Sequence, residues 1–231
     1  MSKAIVLLSG GLDSTTVLAI TLYQGYEVSA LTFKYGQRHD YEIDCAKELV
    51  AHFNIKNHYI MNIDLGSIGG SALTDELYVP KDRDFDEMNS EIPITYVPGR
   101  NTIFLAYALA LAEVDGAFNI FIGVNALDYS GYPDCRPKYI EAFQKMGRLA
   151  TKSGIEEEPK LQVHTPLIEM TKSEIIKAGT ALGVDYSITH SCYDPISKGN
   201  PCGRCDACQL RLKGFMEAGA VDPLNYPEIQ R

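Results

Sequence analysis

The sequence predicts an α/β protein: a Rossmann-like, doubly wound parallel sheet of about five strands, followed by a small C-terminal segment tied together by cysteines. Three observations carry that expectation. The apolar run Ala4 to Leu8 leads directly into Ser9-Gly10-Gly11-Leu12-Asp13-Ser14, a strand that enters a tight turn and then an apolar helical pattern. Runs rich in Val, Ile and Phe then alternate with amphipathic stretches as far as Leu182. Four cysteines crowd between Cys192 and Cys208. The expected organisation is an α/β domain over 1–188 with residues 189–231 packed on it.

The elements follow in order. After the first strand, a helix is expected from Ser14 to about Gln24, a buried strand over Glu27 to Phe33 and an amphipathic helix over Asp40 to Phe53. Tyr59 to Ile63 reads as the third strand. A long polar connection from Leu65 to Pro98, with the charged run Lys81 to Met88, has the length of a functional or disordered segment. An apolar helix is expected over Asn101 to Val114, a fourth strand over Asn119 to Val124 and a helix from Lys138 to about Ala150, started after Pro137. Leu161 to Thr165 makes a fifth strand. Thr171-Lys172-Ser173-Glu174 has the form of a capping box opening a helix that runs to about Leu182, where Gly183 closes it.

Composition narrows the function. The chain has 231 residues, of which 45% are hydrophobic, enough to bury a full core. A net charge of −9 argues against a protein whose main work is gripping a phosphate backbone, so no nucleic-acid partner is expected. The early apolar run is broken by glycines and no stretch has membrane-spanning length, so a cytoplasmic protein without membrane partners is expected. In that setting clustered cysteines read as metal ligands.

In doubly wound sheets the ligand lies beyond the carboxyl ends of the strands, and the unusual polar residues fall in those loops. They are SGGLDS after the first strand, Lys34 to His39 (KYGQRH) after the second, Val97-Pro98-Gly99-Arg100-Asn101 after the third, Asp128 to Arg136 after the fourth, and Thr165-Pro166-Leu167 leading to Lys172 after the fifth. The first loop has no Walker lysine and no G-x-G-x-x-G pattern. Ser9 and Ser14 offer hydroxyls, Gly10 and Gly11 offer backbone amides, and Asp13 is suited to hold Mg²⁺ or to fix the loop.

SGGLDS resembles the PP-loop of the ATP pyrophosphatases, which cleave ATP between the α and β phosphates and transfer AMP. The loop motifs taken jointly, with CGRCDAC, resemble those of the 7-cyano-7-deazaguanine synthase family over nearly the whole chain, with only Leu65 to Ile94 matching loosely. That resemblance implies conversion of 7-carboxy-7-deazaguanine and ammonia to the nitrile with ATP and Mg²⁺, in queuosine biosynthesis, by a homodimer. Adenylation suits the chemistry: a carboxylate is a poor electrophile, and attached AMP supplies a leaving group. The expected nucleotide-binding stretch is Leu8, Ser9, Gly10, Gly11, Leu12, Asp13, Ser14, Thr15, Thr16, Val17 and Leu18. Asp13, Lys172 and Arg100 are the catalytic candidates, with Lys172 the cation for pyrophosphate. Gln37, Arg38, Asn101, Tyr132, Asp134 and Arg136 are the substrate candidates: the arginines for forked recognition of carboxylate or phosphate, Asp134 for the guanine-like edge, and Tyr132 or Tyr35 for stacking. His39, beside Arg38 with no visible partner, reads as a hydrogen-bonded structural group, and Cys135 receives no catalytic role because no neighbouring base is identifiable. Cys45 is expected in the core. Free ammonium is expected to suffice as nitrogen donor, since 231 residues leave no room for a glutaminase domain.

Cys192, Cys202, Cys205 and Cys208 form C-x9-C-x2-C-x2-C, the ligand set of one structural Zn²⁺ per chain, with an iron-sulfur cluster as the alternative. A base-thiolating tRNA-modifying enzyme built on the same loop is the competing function; it would need an RNA surface, against the acidic balance. A nucleotide-binding regulator would explain the first loop but not the polar residues of the other four.

Overall fold

The computed structural model describes residues 1–126, 132–156 and 160–227. Its elements, in chain order, are β1 (Lys3–Leu7), α1 (Leu12–Tyr23), β2 (Glu27–Lys34), α2 (Tyr41–His52), β3 (Asn57–Asn62), α3 (Phe85–Ser90), α4 (Arg100–Asp115), β4 (Asn119–Phe121), α5 (Pro137–Ala150), α6 (Lys152–Glu156), β5 (Gln162–His164), α7 (Lys172–Ala181) and α8 (Asp206–Ala218). All five strands are parallel, in the order β3-β2-β1-β4-β5. The order reverses between β1 and β4, and the loops after those two strands part to leave a crevice.

Alternation along β1 divides the core. Ile5 and Leu7 face Leu105, Ala108 and Ala112 of α4 and Ile140 and Phe143 of α5. Ala4 and Val6 face the opposite layer, with Val17 and Leu18 of α1, Leu49 of α2, Ile175 and Ile176 of α7, and Phe215 of α8. Each layer shields one face of the sheet, as an all-parallel sheet requires. The helix of the capping box is present: the Thr171 side chain accepts from Glu174 N, and Glu174 answers at the Thr171 amide.

Several boundaries differ from expectation. The strand expected to reach Val124 ends at Phe121, because Gly123 runs against α1: a Cβ there would sit 3.2 Å from the Asp13 carbonyl carbon and the Ser14 nitrogen. The first helix begins at Leu12 rather than Ser14, and β3 begins at Asn57 rather than Tyr59, where its pairing with Ser29 starts. The long connection holds a short helix not foreseen, α3, whose N-cap Asp84 and Glu87 form a second capping box. Its charged run is a strap. Lys81 bridges Cys205, and ion pairs join Lys81 to Asp194, Asp82 to Arg204 and Arg83 to Asp206. The expected loop residues 128–131 lie outside the described residues.

Candidate active site and metal centre

A crevice open to solvent lies at the carboxyl edge of the sheet, lined from β1, β2, α2, α4 and the segment after β4. One end is the SGGLDS loop. Leu8, Ser9, Gly11, Leu12, Asp13 and Ser14 line it. The Ser9 amide donates to Ser14 Oγ (3.2 Å), the Gly11 amide to Ser9 Oγ (3.3 Å) and the Leu12 amide to Ser191 Oγ (3.3 Å). Hydroxyls thus occupy the amides an anion would take, at the positive end of α1. Gly10 packs away from the crevice: a Cβ there would lie 2.2 Å from the Glu42 carbonyl oxygen, and its φ is +87°.

Binding residues were expected as far as Leu18, but the lining stops at Ser14. Thr15 and Thr16 are buried and turned to helix carbonyls, with Thr16 also bonded to Tyr186 Oη (2.8 Å). Val17 and Leu18 belong to the core behind the loop. One helical turn carries a residue off the ligand face, so a contiguous motif cannot all reach the ligand.

Lys172, expected as the cation for pyrophosphate, donates to both carboxylate oxygens of Asp13, at 2.7 and 2.9 Å. Its side chain is 8% exposed, and Gly214 of α8 leaves room for it, a Cβ there falling 2.3 Å from Lys172 Cγ. Asp13 and Lys172 therefore form one unit at the loop.

The other end of the crevice is aromatic. Phe33 and Phe104 stack at 4.0 Å, and the Arg100 guanidinium lies 5.8 Å from the Tyr35 ring centroid and 5.9 Å from that of Phe104. Gln37, Arg38, Asn101 and Tyr132 line the crevice with them. Gln37 Oε1 accepts the Tyr35 amide (2.7 Å), Arg38 is exposed and donates to the Leu77 carbonyl (3.0 Å), and the Tyr132 hydroxyl pairs with Thr95 Oγ1 (3.0 Å). Asp134 and Arg136 do not join them. The Asp134 carboxylate accepts the Asn101 amide in the first turn of α4 (3.0 Å), where a helix start offers unpaired donors. Arg136 is exposed and turns back to the Pro133 carbonyl (3.0 Å).

Burial pushes the Cys135 thiol up to about 12, with Asp134 adding to it, so it is no thiolate at neutral pH. Cys45 is buried, as expected.

Glu42 and His190 are crevice residues that the sequence reading missed, as are Phe33 and Phe104 of the aromatic wall. Glu42, in the first turn of α2, faces the crevice; burial raises its carboxyl to about 7 against the opposing pull of Arg100. From the chain alone it is an ordinary acid at a helix start. His190 is fully buried, and neither of its ring nitrogens has a hydrogen-bond partner among the described residues. Burial, then His39 and Arg211, lower it to about 4. Its amide donates to Gly10 O (2.9 Å), tying the cysteine segment to the SGGLDS loop.

The four cysteines converge. Cys192, Cys202, Cys205 and Cys208 are buried with their Sγ atoms within 4.8 Å of one another. The pairs Cys202–Cys208 and Cys192–Cys205 are each 4.0 Å apart, near the roughly 3.8 Å of four sulfurs held about 2.3 Å from a tetrahedral centre. Cys202 N donates to Cys192 Sγ (3.2 Å), and Arg204 N and Cys205 N donate to Cys202 Sγ (3.4 and 3.3 Å), an arrangement that stabilises thiolates. The set fits a metal ion. None of the four lines the crevice, but Ser191 and Tyr193 on either side of Cys192 do.

A parallel sheet with SGGLDS at its switch point defines a doubly wound α/β protein whose first loop carries the PP-loop pattern. Residues 3–219 match the family model described as queuosine biosynthesis protein QueC, and the chain belongs to that family. Among its curated relatives, the 7-cyano-7-deazaguanine synthase of Kineococcus radiotolerans is 60% identical over 96% of this chain and 97% of its own. That of Pelobacter propionicus is 59% identical over 97% of each chain, and that of Geobacter metallireducens 57% identical over 99% of this chain and 94% of its own.

Proposed function

We propose that this chain converts 7-carboxy-7-deazaguanine and ammonia to 7-cyano-7-deazaguanine in queuosine biosynthesis, activating first the acid and then the amide by transfer of AMP from ATP. The observation that carries this reading is a single crevice with the SGGLDS loop at one end and the Phe33, Tyr35 and Phe104 aromatic wall with Arg100 at the other. A planar heterocycle against the aromatic wall would point its carboxylate towards the loop. Arg100 is suited to that carboxylate, and Gln37, Asn101 and Tyr132 to the heterocycle's edge or face. The amides of the SGGLDS loop, once the serine hydroxyls that occupy them give way, and the Lys172–Asp13 pair would receive the phosphates.

Mg²⁺ would be held by Asp13, whose oxygens keep further acceptor capacity beside Lys172, and would neutralise charge on the departing pyrophosphate. The cysteine centre would hold Zn²⁺ in a structural role, since four protein ligands close the coordination sphere. Small molecules rather than RNA are its substrates, and a cytoplasmic homodimer is its form. The test is incubation with 7-carboxy-7-deazaguanine, ATP, Mg²⁺ and ammonium, followed by mass spectrometry. The nitrile with AMP and pyrophosphate is expected; stoichiometric ADP would exclude adenylation.

A further inference from the structure

We propose that Glu42 binds ammonium in the crevice and takes its proton, so that ammonia reaches the activated acyl carbon as a neutral nucleophile. This rests on the reaction proposed above, which needs a nitrogen donor that is protonated, and so without a free electron pair, at neutral pH.

The placement is specific. Gly10 has no Cβ, and only so can the Glu42 carbonyl lie against the phosphate loop, at 2.2 Å from where that atom would be. The close approach sets the first turn of α2 beside the loop and lets Glu42 line the same crevice as Ser9, Asp13 and Arg100. Asp13 and Glu42 are the carboxylate side chains among the described residues of the lining. Asp13 is engaged by Lys172. Among the described residues no ion pair involves Glu42, and Arg100, in the same lining, is the charge that acts on its carboxyl. A small cation that must lose a proton fits that position.

The surroundings also suit a base. Burial raises the Glu42 carboxyl to about 7, with Arg100 opposing, so both protonation states are accessible near neutral pH. Tyr35 from β2's downstream loop and Cys45 from its own helix are the other titratable groups that interact with it, and the His39 and His190 rings share the crevice. Ammonium donates to the Glu42 carboxylate and one proton passes to a carboxylate oxygen. The freed nitrogen pair forms the carbon–nitrogen bond, the bond from the acyl carbon to the AMP oxygen breaks, and its electron pair leaves with AMP. Glu42 releases its proton to water, and the extra proton on the new amide nitrogen leaves by the same route.

The test compares the parent with Glu42→Gln and Glu42→Asp, supplied with ammonium or with hydroxylamine, which is largely neutral at the same pH. In Glu42→Gln, ammonium-dependent product should fall by about 100-fold or more, the size of a general-base contribution. Pyrophosphate release and trapping of the acyl adenylate as hydroxamate should stay within about threefold, an effect far smaller than that contribution. Glu42→Asp should recover part of the ammonium rate. An ammonium rate in Glu42→Gln close to the parent's would overturn the proposal, as would equal loss with both nucleophiles or a Glu42→Asp no better than Glu42→Gln. Both variants should melt no lower than the parent above pH 7, and unfolding of both would make Glu42 a structural residue and overturn the proposal equally. A parent that releases no pyrophosphate at all would instead refute the adenylating reaction.

Discussion

Asp13 and Lys172 are 159 positions apart in the chain and act as one group. The ion pair is mostly shielded, at 8% and 18% side-chain exposure, so removing one partner strands the other in a poorly hydrated place. Asp13→Asn should therefore slow pyrophosphate release by at least about 100-fold and cost about 2 kcal/mol of stability. The double variant Asp13→Asn with Lys172→Met should regain most of the stability and none of the activity. Thermal melts and a pyrophosphate assay on the same preparations separate the two effects. Recovery of activity in the double variant would show that the pair only packs.

At the scale of elements, what matters is how closely helices approach the sheet's carboxyl edge. Gly10 admits α2, Gly123 admits the start of α1, and Gly214 admits Lys172 between α7 and α8. Of these, Gly10 is the most demanding, because its φ is +87° and the atom a Cβ would meet is a backbone carbonyl oxygen that no rotamer change can move. Gly10→Ala should cost about 1–3 kcal/mol and push α2 off the SGGLDS loop. Chemical denaturation should show the loss. The KM for ammonium should rise more than that for ATP, since Glu42 rides on α2 while the α1 amides do not. An unchanged ammonium KM would mean that α2 does not position that substrate.

Across the whole molecule, the C-terminal segment is joined to the sheet at several levels. Phe215 of α8 enters the core behind β1, and the 81–83 strap pairs with Asp194, Arg204 and Asp206. A buried Arg211–Asp222 pair (2.8 Å) ties α8 to the tail, with Tyr226 Oη donating to Asp222 (2.7 Å). The cysteine centre sits among these, with Cys192 and Cys202 on irregular backbone, Cys205 at the N-cap of α8 and Cys208 in its first turn, and the four ligands come together only in the folded state. Cys192→Ser should lose the metal and melt several degrees lower, while Cys45→Ser should keep a full metal complement. Elemental analysis with a melting scan decides it. One zinc per parent chain is expected, and full zinc in Cys192→Ser, or iron in the parent, would overturn the assignment.

The alternation of strand and helix, the SGGLDS turn and the C-x9-C-x2-C-x2-C spacing are local patterns, and local patterns survive without coordinates. Hydrophobic periodicity, turn chemistry and ligand spacing operate over a few residues, so the sheet, the SGGLDS turn between β1 and α1 and the cysteine cluster are legible in the chain. The directions of side chains were not. Thr15 to Leu18 left the site because a helix turns its residues through every direction, and Asp134 was drawn to the first turn of α4. Glu42 and His190 entered the crevice because Gly10 lets α2 close in and because the His190 amide bonds Gly10 O. Such placements depend on which distant elements come into contact, and the free energy of that contact is a property of the packed molecule rather than of any segment of it.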